Sequence, residues 1–389
     1  MTANDRRPRS CWIEIDLDAL CHNLAVVRDE LPEDIKPLCV VKADAYGHGA
    51  EVISKELERE GVDFFGVATL EEAQKLRNCG VESDILIMGH MPTFVADQII
   101  EQDLTPMVYS FRLLKAINEQ AKKRNTIHPI HLKVDTGMGR LGLLESDVPN
   151  FLDELSRNDH VRLAGVATHL AVAGEDSHYT RKQVEQFHSV KEMIKDSDCS
   201  PDHWHGMNSA AVFSQQPPFG TLARPGITLY GYPPHDEVTV PELKPVMQVK
   251  SLMADYKQVP PNHGVSYGRQ FSPDKPTWIG VLPVGYADGY SRQFSNVSYV
   301  LKNNEEKPVL GAVCMDMTII KLEKYDDPEE VVTLMGKDGD QTLWADTLAQ
   351  WQDTITYEVL SGFSPRFPRK YYRENEQIAL KTEHGVQFQ

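Results

Sequence analysis

The sequence predicts an α/β protein: a (β/α)8 TIM-type barrel followed by a mostly β C-terminal domain. Eight short apolar runs, near 36–42, 64–67, 84–88, 104–108, 129–135, 161–167, 202–206 and 221–224, mark the first part of the chain, and most precede a helical pattern such as EVISKELERE or SFRLLKAINEQAKK. Strands that alternate with helices pair in parallel, and a count of eight favours closure over an open doubly wound sheet. Near Pro233–Pro245 the segment YPPHDEVTVPELKP turns proline-rich and polar, as a linker does. Beyond it, MQVKSLMADYKQV, TWIGVLPVGYADGY, VSYVLKNNEEKPVLGAVCMDMTIIKL and EEVVTLMGKDG are β-rich and separated by turn signals such as Asn303-Asn304 and Gly336–Gly339. One helical segment, TLWADTLAQWQ, interrupts them.

Taken in order, CWIEIDL at 11–17 alternates apolar and polar residues like a half-buried strand, and Asp18–Asp29 reads as a helix capped by Asp16 or Asp18. The tail after about Tyr372 is polar and is expected to fray. A chain of 389 residues is too long for one small core, so two domains are expected.

Composition narrows the function classes. With 41% hydrophobic and 25% charged residues the chain is that of a globular protein, and it contains no apolar run long enough to span a bilayer. The N-terminus MTANDRRPRS is polar and basic, without the apolar stretch of a secretory signal, so a cytoplasmic location is expected. A formal net charge of −17 argues against a nucleic-acid partner; the Lys122, Lys123, Arg124 cluster reads as a solvated helix face. The six cysteines are scattered, with neither a C-x-x-C pair nor a disulfide framework, and are expected to be reduced thiols.

In a barrel the strand ends that feed the βα loops form the catalytic face. Those ends carry Lys42 with Tyr46, then Lys133 with Asp135 and Arg140, His169, Asn208 with Ser209, and Arg224 with Gly226 and Ile227. Lys42 stands out, because a lysine closing a buried strand must snorkel, pair with a carboxylate such as Asp44, or be held neutral for chemistry. The small residues of MNSAAVF and RPGITLYG supply backbone amides where barrels bind phosphate, after their last two strands. A phosphate site facing a strand-end lysine suggests pyridoxal 5′-phosphate, which bonds to a lysine amine as a Schiff base; Arg140 and Arg224 would help keep that amine nucleophilic. A barrel that binds a phosphorylated sugar, with Lys42 as a simple charge, accounts for the barrel residues equally well.

Two other motifs are weaker. GMGRLG at 137–142 matches the dinucleotide pattern G-x-G-x-x-G, but it follows the fifth strand of a series and opens no helix at once. His203 and His205 share one strand face and could ligate a metal, yet no carboxylate or cysteine set completes a site, so packing or hydrogen bonding is expected and no metal. In the second domain, GVSYGRQF around Tyr267, PVGYADGYSR around Tyr286 and Arg292, and CMDM around Met315 and Asp316 are Gly- or Asp-flanked turns. A tyrosine there could act as a general base if His169 or Arg140 lowered its pKa where domains or subunits meet.

Together, WIEIDLDAL, VVKADAYGHG, HLKVDTGMGRLG, ATHLA, HGMNSA, ARPGITLYG, GVSYG, VGYADGYSR, CMDM and TYEVLSGFSPRFPRKY resemble the alanine racemase family over nearly the whole chain. The resemblance implies a pyridoxal-phosphate racemase supplying D-alanine, a peptidoglycan precursor, and acting on a small amino-acid substrate. It further implies a homodimer with composite sites, with Lys42 as Schiff-base lysine and base on the D face and Tyr267, from the partner subunit, as base on the L face. Tyr46, Asn208, Ser209, Gly226, Ile227 and Tyr357 match cofactor-binding positions, Arg224 the residue at the pyridine nitrogen, and His169 the link from that arginine to the catalytic tyrosine. An arginine there is always charged and a poor proton donor, which favours reprotonation over transamination. Met315, Arg140 and Asp316 match the substrate-binding set, and Ala171, Tyr286, Arg292, Ala312 and Ile355 line the entry channel. Lys133 matches a lysine that is often carbamylated and that positions Arg140.

By the same resemblance residues 1–17 give a strand that joins the C-terminal domain, 18–240 the cofactor-binding barrel and 241–389 the β-rich domain. Ala312 stands where many members carry a gate arginine, and Ser361 where a cysteine often occurs. A smaller, uncharged gate keeps a broader-specificity or serine racemase open as an alternative. A non-catalytic pyridoxal-phosphate-binding barrel is the remaining one, and it would have no use for the Tyr267 domain.

Overall fold

A computed structural model describes residues 9–214, 218–323 and 327–388. Most of the polar N-terminal segment read above, residues 1–8, lies outside them. The chain forms two compact units. One contains Leu20–Ala45 and Ile53–Lys244; the other gathers the chain up to Ala19, Tyr46–Val52 and everything from Pro245 onward.

In the first unit, Cys39–Val40, Phe64–Val67, Asp84–Ile87, Thr105–Val108, His128–Lys133, Val161–Ala167 and His203–His205 pair in parallel in chain order. Met207–Asn208, Leu222–Arg224 and Lys36–Pro37 form a further parallel set. Only Leu38 separates Lys36–Pro37 from Cys39–Val40, and only Gly206 separates His203–His205 from Met207–Asn208. These pieces are therefore single strands with a break, and the ring closes as eight strands. The helices between them bury one face. In Phe111–Lys123 the buried residues are Leu113, Leu114, Ile117 and Ala121, the spacing of an amphipathic helix, and Lys122 and Lys123 lie in its last turn, where cations suit the helix dipole.

In the second unit, Cys11–Asp16 runs between two partners, antiparallel to Met247–Ser251 and parallel to Arg369–Arg373, inside a nine-stranded sheet. Asp255–Val259, Thr277–Leu282 and Thr318–Leu322 form a separate three-stranded sheet. Of the two candidate caps for the first helix, Asp16 accepts the amide of Ala19 at 2.9 Å, and the helix spans Leu17–Glu30.

Two expectations fail here. The tail does not fray: Arg369–Arg373, Glu376–Thr382 and Gly385–Phe388 are consecutive antiparallel strands. Glu374 and Asn375 both take positive φ, the geometry of a tight hairpin turn, and Lys381 pairs with Glu51 at 2.6 Å. Backbone pairing holds this segment although its side chains are polar. Among its described residues the second domain also has two α-helices rather than one, Ala345–Gln352 and Thr356–Gly362, separated at Asp353 in the left-handed region. The second escapes a periodicity reading because it is only seven residues long.

Candidate active site

The loop after the first barrel strand departs most from ordinary backbone. Ala43, Asp44, Ala45 and Tyr46 have φ of 53°, 55°, 55° and 53°, a left-handed turn built from L residues, which costs roughly 1–2 kcal/mol per residue. Ala45 N donates to Val41 O at 2.8 Å, and Ala43 N donates to the Glu72 carboxylate at 2.6 Å. Glu72 also accepts the amides of Ala68 and Thr69 in a capping box with Thr69. Lys42 opens this turn. Burial lowers its pKa first, Arg140 lowers it further, Glu72 opposes, and Arg224 lowers it again.

Lys133 ends the fifth strand and is buried, with its pKa pushed well below that of a free lysine by burial, then by Arg224, against Asp135, and by Arg140. The GMGRLG loop that follows spends its amides locally. The Asp135 carboxylate accepts the N–H groups of Gly137, Met138, Gly139 and Arg140 at 2.8–3.2 Å, so none is offered to a pyrophosphate and the dinucleotide reading falls. Next come His169 and Ala171, braced by a residue the sequence did not flag. The wholly buried Gln183 donates to His169 O at 3.1 Å and accepts Ala171 N at 2.9 Å.

Arg224 closes the last strand, 5% exposed. Burial alone pulls its pKa down to about 10, so it remains a cation at neutral pH. Its guanidinium donates to Thr168 O at 2.7 Å, His205 Nδ1 at 2.7 Å and His169 Nδ1 at 3.2 Å. Because arginine only donates, His205 must carry its proton on Nε2, which then donates to His131 Nδ1 at 2.8 Å. His203 and His205 are thus hydrogen-bonding and packing residues, with the His203 ring 5.8 Å from that of His131. His131 is a further member of this chain that the sequence analysis missed. Its signal was Gly165 on the neighbouring strand, where a Cβ would lie 2.6 Å from the His131 ring.

Burial lowers the pKa of His131 to about 3, aided by His203, Arg224 and Arg162, and holds His205 well below the usual value, aided by Arg224 and His131. The unfolded chain therefore binds more protons, and stability falls as pH drops below about 6.5. Between pH 7 and pH 5 His131 alone removes about 2 kcal/mol, and His205 acts in the same direction. Urea unfolding of the wild type and of His131→Asn checks this: the variant loses less, and a wild-type midpoint that is flat over this range would refute the neutral chain.

Beside Arg224 in the chain lies a set of small polar residues. Asn208 caps the turn Ser209–Phe213 by accepting Ala211 N at 3.0 Å, and Ser209 Oγ accepts the amide of Gly226 at 2.8 Å, immediately before the buried Ile227. His169 is neutral, its pKa lowered to about 2 by burial, Arg224, Lys133, Arg140 and Lys42.

The second unit holds the remaining candidates. The rings of Tyr46 and Tyr357 are 6.0 Å apart; burial raises both pKa values, that of Tyr357 to about 12, so both hydroxyls keep their protons as donors. Tyr267 begins a 3₁₀ turn after Ser266, whose φ is 62°, and is 74% exposed. Ser266 Oγ donates to the carbonyl of the buried Ala312. Tyr286 N and Ala287 N donate to Cys314 O and Met315 O at 3.0 Å, which joins the YAD and CMDM turns. Asp316 accepts from Arg366 at 2.9 Å; Arg292 and Ile355 are exposed.

Residues 15–234 match the family model described as "Alanine racemase, N-terminal domain", and residues 246–371 match "Alanine racemase, C-terminal domain". The chain is 36% identical over 379 residues to alanine racemase 2 of Caldanaerobacter subterraneus subsp. tengcongensis, covering 96% of this chain and 98% of that protein. It is 39% identical over 381 residues to the alanine racemase of Geobacter sp. strain M21, covering 95% and 99%. Among solved structures, the alanine racemase of Bacillus anthracis with bound L-Ala-P superposes with a TM-score of 0.91 at 31% identity, over 96% of this chain and 97% of that one. The alanine racemase of Clostridium difficile 630 gives 0.90 at 35% identity, over 96% and 98%.

Proposed function

Because the chain belongs to the alanine racemase family, we propose that its residues divide the interconversion of L- and D-alanine between two bases, Lys42 on the D face and Tyr267 of the partner subunit on the L face. The protein is an isomerase that racemises alanine, with pyridoxal 5′-phosphate as its cofactor. The donors present fit that group. Ser209, Gly226 and Ile227, with the protonated hydroxyls of Tyr46 and Tyr357, would hold its phosphate; Asn208 positions the Ser209 turn, and Arg224 would serve its ring nitrogen. When bound, the cofactor draws electrons from the substrate and so acidifies its α-carbon.

The observation that carries the assignment is Lys42 itself, a strand-end amine whose pKa is lowered by burial, Arg140 and Arg224 against Glu72, the direction that suits a base acting at Nζ. His169, tied to Arg224, positions the tyrosine that takes or gives the opposite proton at Oη. Arg140 and Met315 receive the substrate carboxylate, with Asp316 beside Met315 in the substrate-binding set; Lys133, as a modified lysine, holds Arg140, and Ala171, Tyr286, Arg292, Ala312 and Ile355 line the approach. The strong exposure of Tyr267 supports a homodimer in which each subunit completes the other's site. We divide the chain accordingly into 1–17 and 241–389, the β-rich part, and 18–240, the barrel. We place the reaction in the cytoplasm, where D-alanine serves as a peptidoglycan precursor; among the described residues no helix is long and apolar enough to cross a membrane.

Purified protein should absorb in the near-visible and release D-alanine from L-alanine in a coupled assay. The side chain at Ala312 favours testing serine as well. Turnover of L-serine within about tenfold of L-alanine would mark a broad racemase, and strict preference for alanine would end that second reading.

A further inference from the structure

We propose that Arg9 is a positioning residue for substrate capture, acting with Arg366 through the buried Asp288 to hold the joined turns that present Tyr286 and Met315. The proposal rests on the reading that these two residues meet the substrate.

Asp288 has no exposure to solvent, and a buried carboxylate needs cations and donors around it. Arg9 supplies a two-pronged grip, Nη1 to Oδ1 at 2.6 Å and Nη2 to Oδ2 at 3.0 Å, while Nη2 also donates to Pro283 O at 3.2 Å. Gly285 N donates to the same carboxylate at 3.1 Å. Arg366 lies between two anions, with Nη1 3.3 Å from Asp288 Oδ1 and Nη2 donating to Asp316 Oδ1 at 2.9 Å. The backbone leaves little freedom, because a Cβ on Gly285 would lie 2.2 Å from Cys314 O and 2.5 Å from Met315 O. The guanidinium of Arg9 also stands 5.7 Å from the centre of the Phe367 ring.

The arrangement divides the labour between the arginines. With Arg9 satisfying Asp288 at both oxygens, Arg366 remains available to Asp316, next to Met315. Without Arg9, Arg366 is the remaining cation paired with the wholly buried Asp288 among the described residues and is drawn to it, because an unpaired buried charge is more costly than an exposed one. Asp316, half exposed, is then left as a bare anion where the substrate carboxylate arrives. Lysine at position 9 does not substitute, because it is a point charge without the fork.

The test uses the holoenzyme. Arg9→Ala should raise KM for L-alanine and the inhibition constant of propionate, a carboxylate without an amine, together by on the order of tenfold, with kcat within about twofold. Arg9→Lys should behave like Arg9→Ala, and adding Asp316→Asn to Arg9→Ala should return KM and the propionate constant most of the way. A fall in kcat with KM unchanged, or a double variant no better than the single one, would overturn the assignment. If Arg9→Ala does not fold, Arg366→Lys carries the same expectation and the same refutation. Met315→Ala separates the two levels: KM unchanged there removes the underlying reading, whereas KM raised there but not in the Arg9 variants removes only the role of Arg9.

Discussion

Lys42→Ala is expected to lose racemase activity by about 10⁴-fold or more and the near-visible absorbance of the bound cofactor in the same step, since in the proposed assignment one amine both anchors the cofactor and serves as a base. Both losses are expected without unfolding. The left-handed turn after position 42 is held by Val41 O and the Glu72 carboxylate, neither of which uses the lysine side chain. Alanine also suits a site where burial and two arginines already disfavour an ammonium. Absorbance spectra, the coupled assay and a melting curve on the same preparation check this. A variant that melts normally and keeps the band would remove Lys42 from the centre of the reaction.

Tyr267→Phe should lower activity by about 10²–10⁴-fold in both directions while leaving the absorbance in place. The more telling result concerns the individual faces. In deuterated water the variant should still exchange the α-proton of D-alanine, using Lys42, while exchange from L-alanine nearly stops. Proton NMR of each enantiomer measures this directly. Equal loss of exchange from both enantiomers would contradict two bases on opposite faces. The exposed turn of Tyr267, secured by Ser266 Oγ on Ala312 O, predicts that the phenylalanine variant folds normally.

The barrel was legible because each of its strands is a short apolar run followed by a helical pattern, a signal carried by neighbouring residues. The strand ends that carry the candidate site were legible for a related reason: they can be found by position, and Lys133, Asn208 and Arg224 do end strands. The left-handed turn at 43–46 was not, because the residues that ordinarily announce such backbone are glycine and asparagine, whereas here Ala43, Asp44 and Ala45 are held by contacts from elsewhere. The Arg224, His205, His131 chain was also hidden. It depends on which side chains of three strands point inward at the same height, and only the pairing register fixes that. The tail was misread because its pairing is made by backbone groups, which composition does not report.

The placement of Cys11–Asp16 inside the large sheet sets an order of events during synthesis. This strand is made well before one of its two neighbours, Arg369–Arg373. At about 5–20 residues per second the wait is on the order of tens of seconds, ample for the barrel segments in between to pair with partners made shortly before them. Once Met247–Ser251 is made one edge can pair, and the other stays open until Arg369–Arg373 follows. Pairing of Cys11–Asp16 with Arg369–Arg373 therefore comes late, and deleting Arg369–Arg373 leaves one edge of the earlier strand open rather than merely removing a later one.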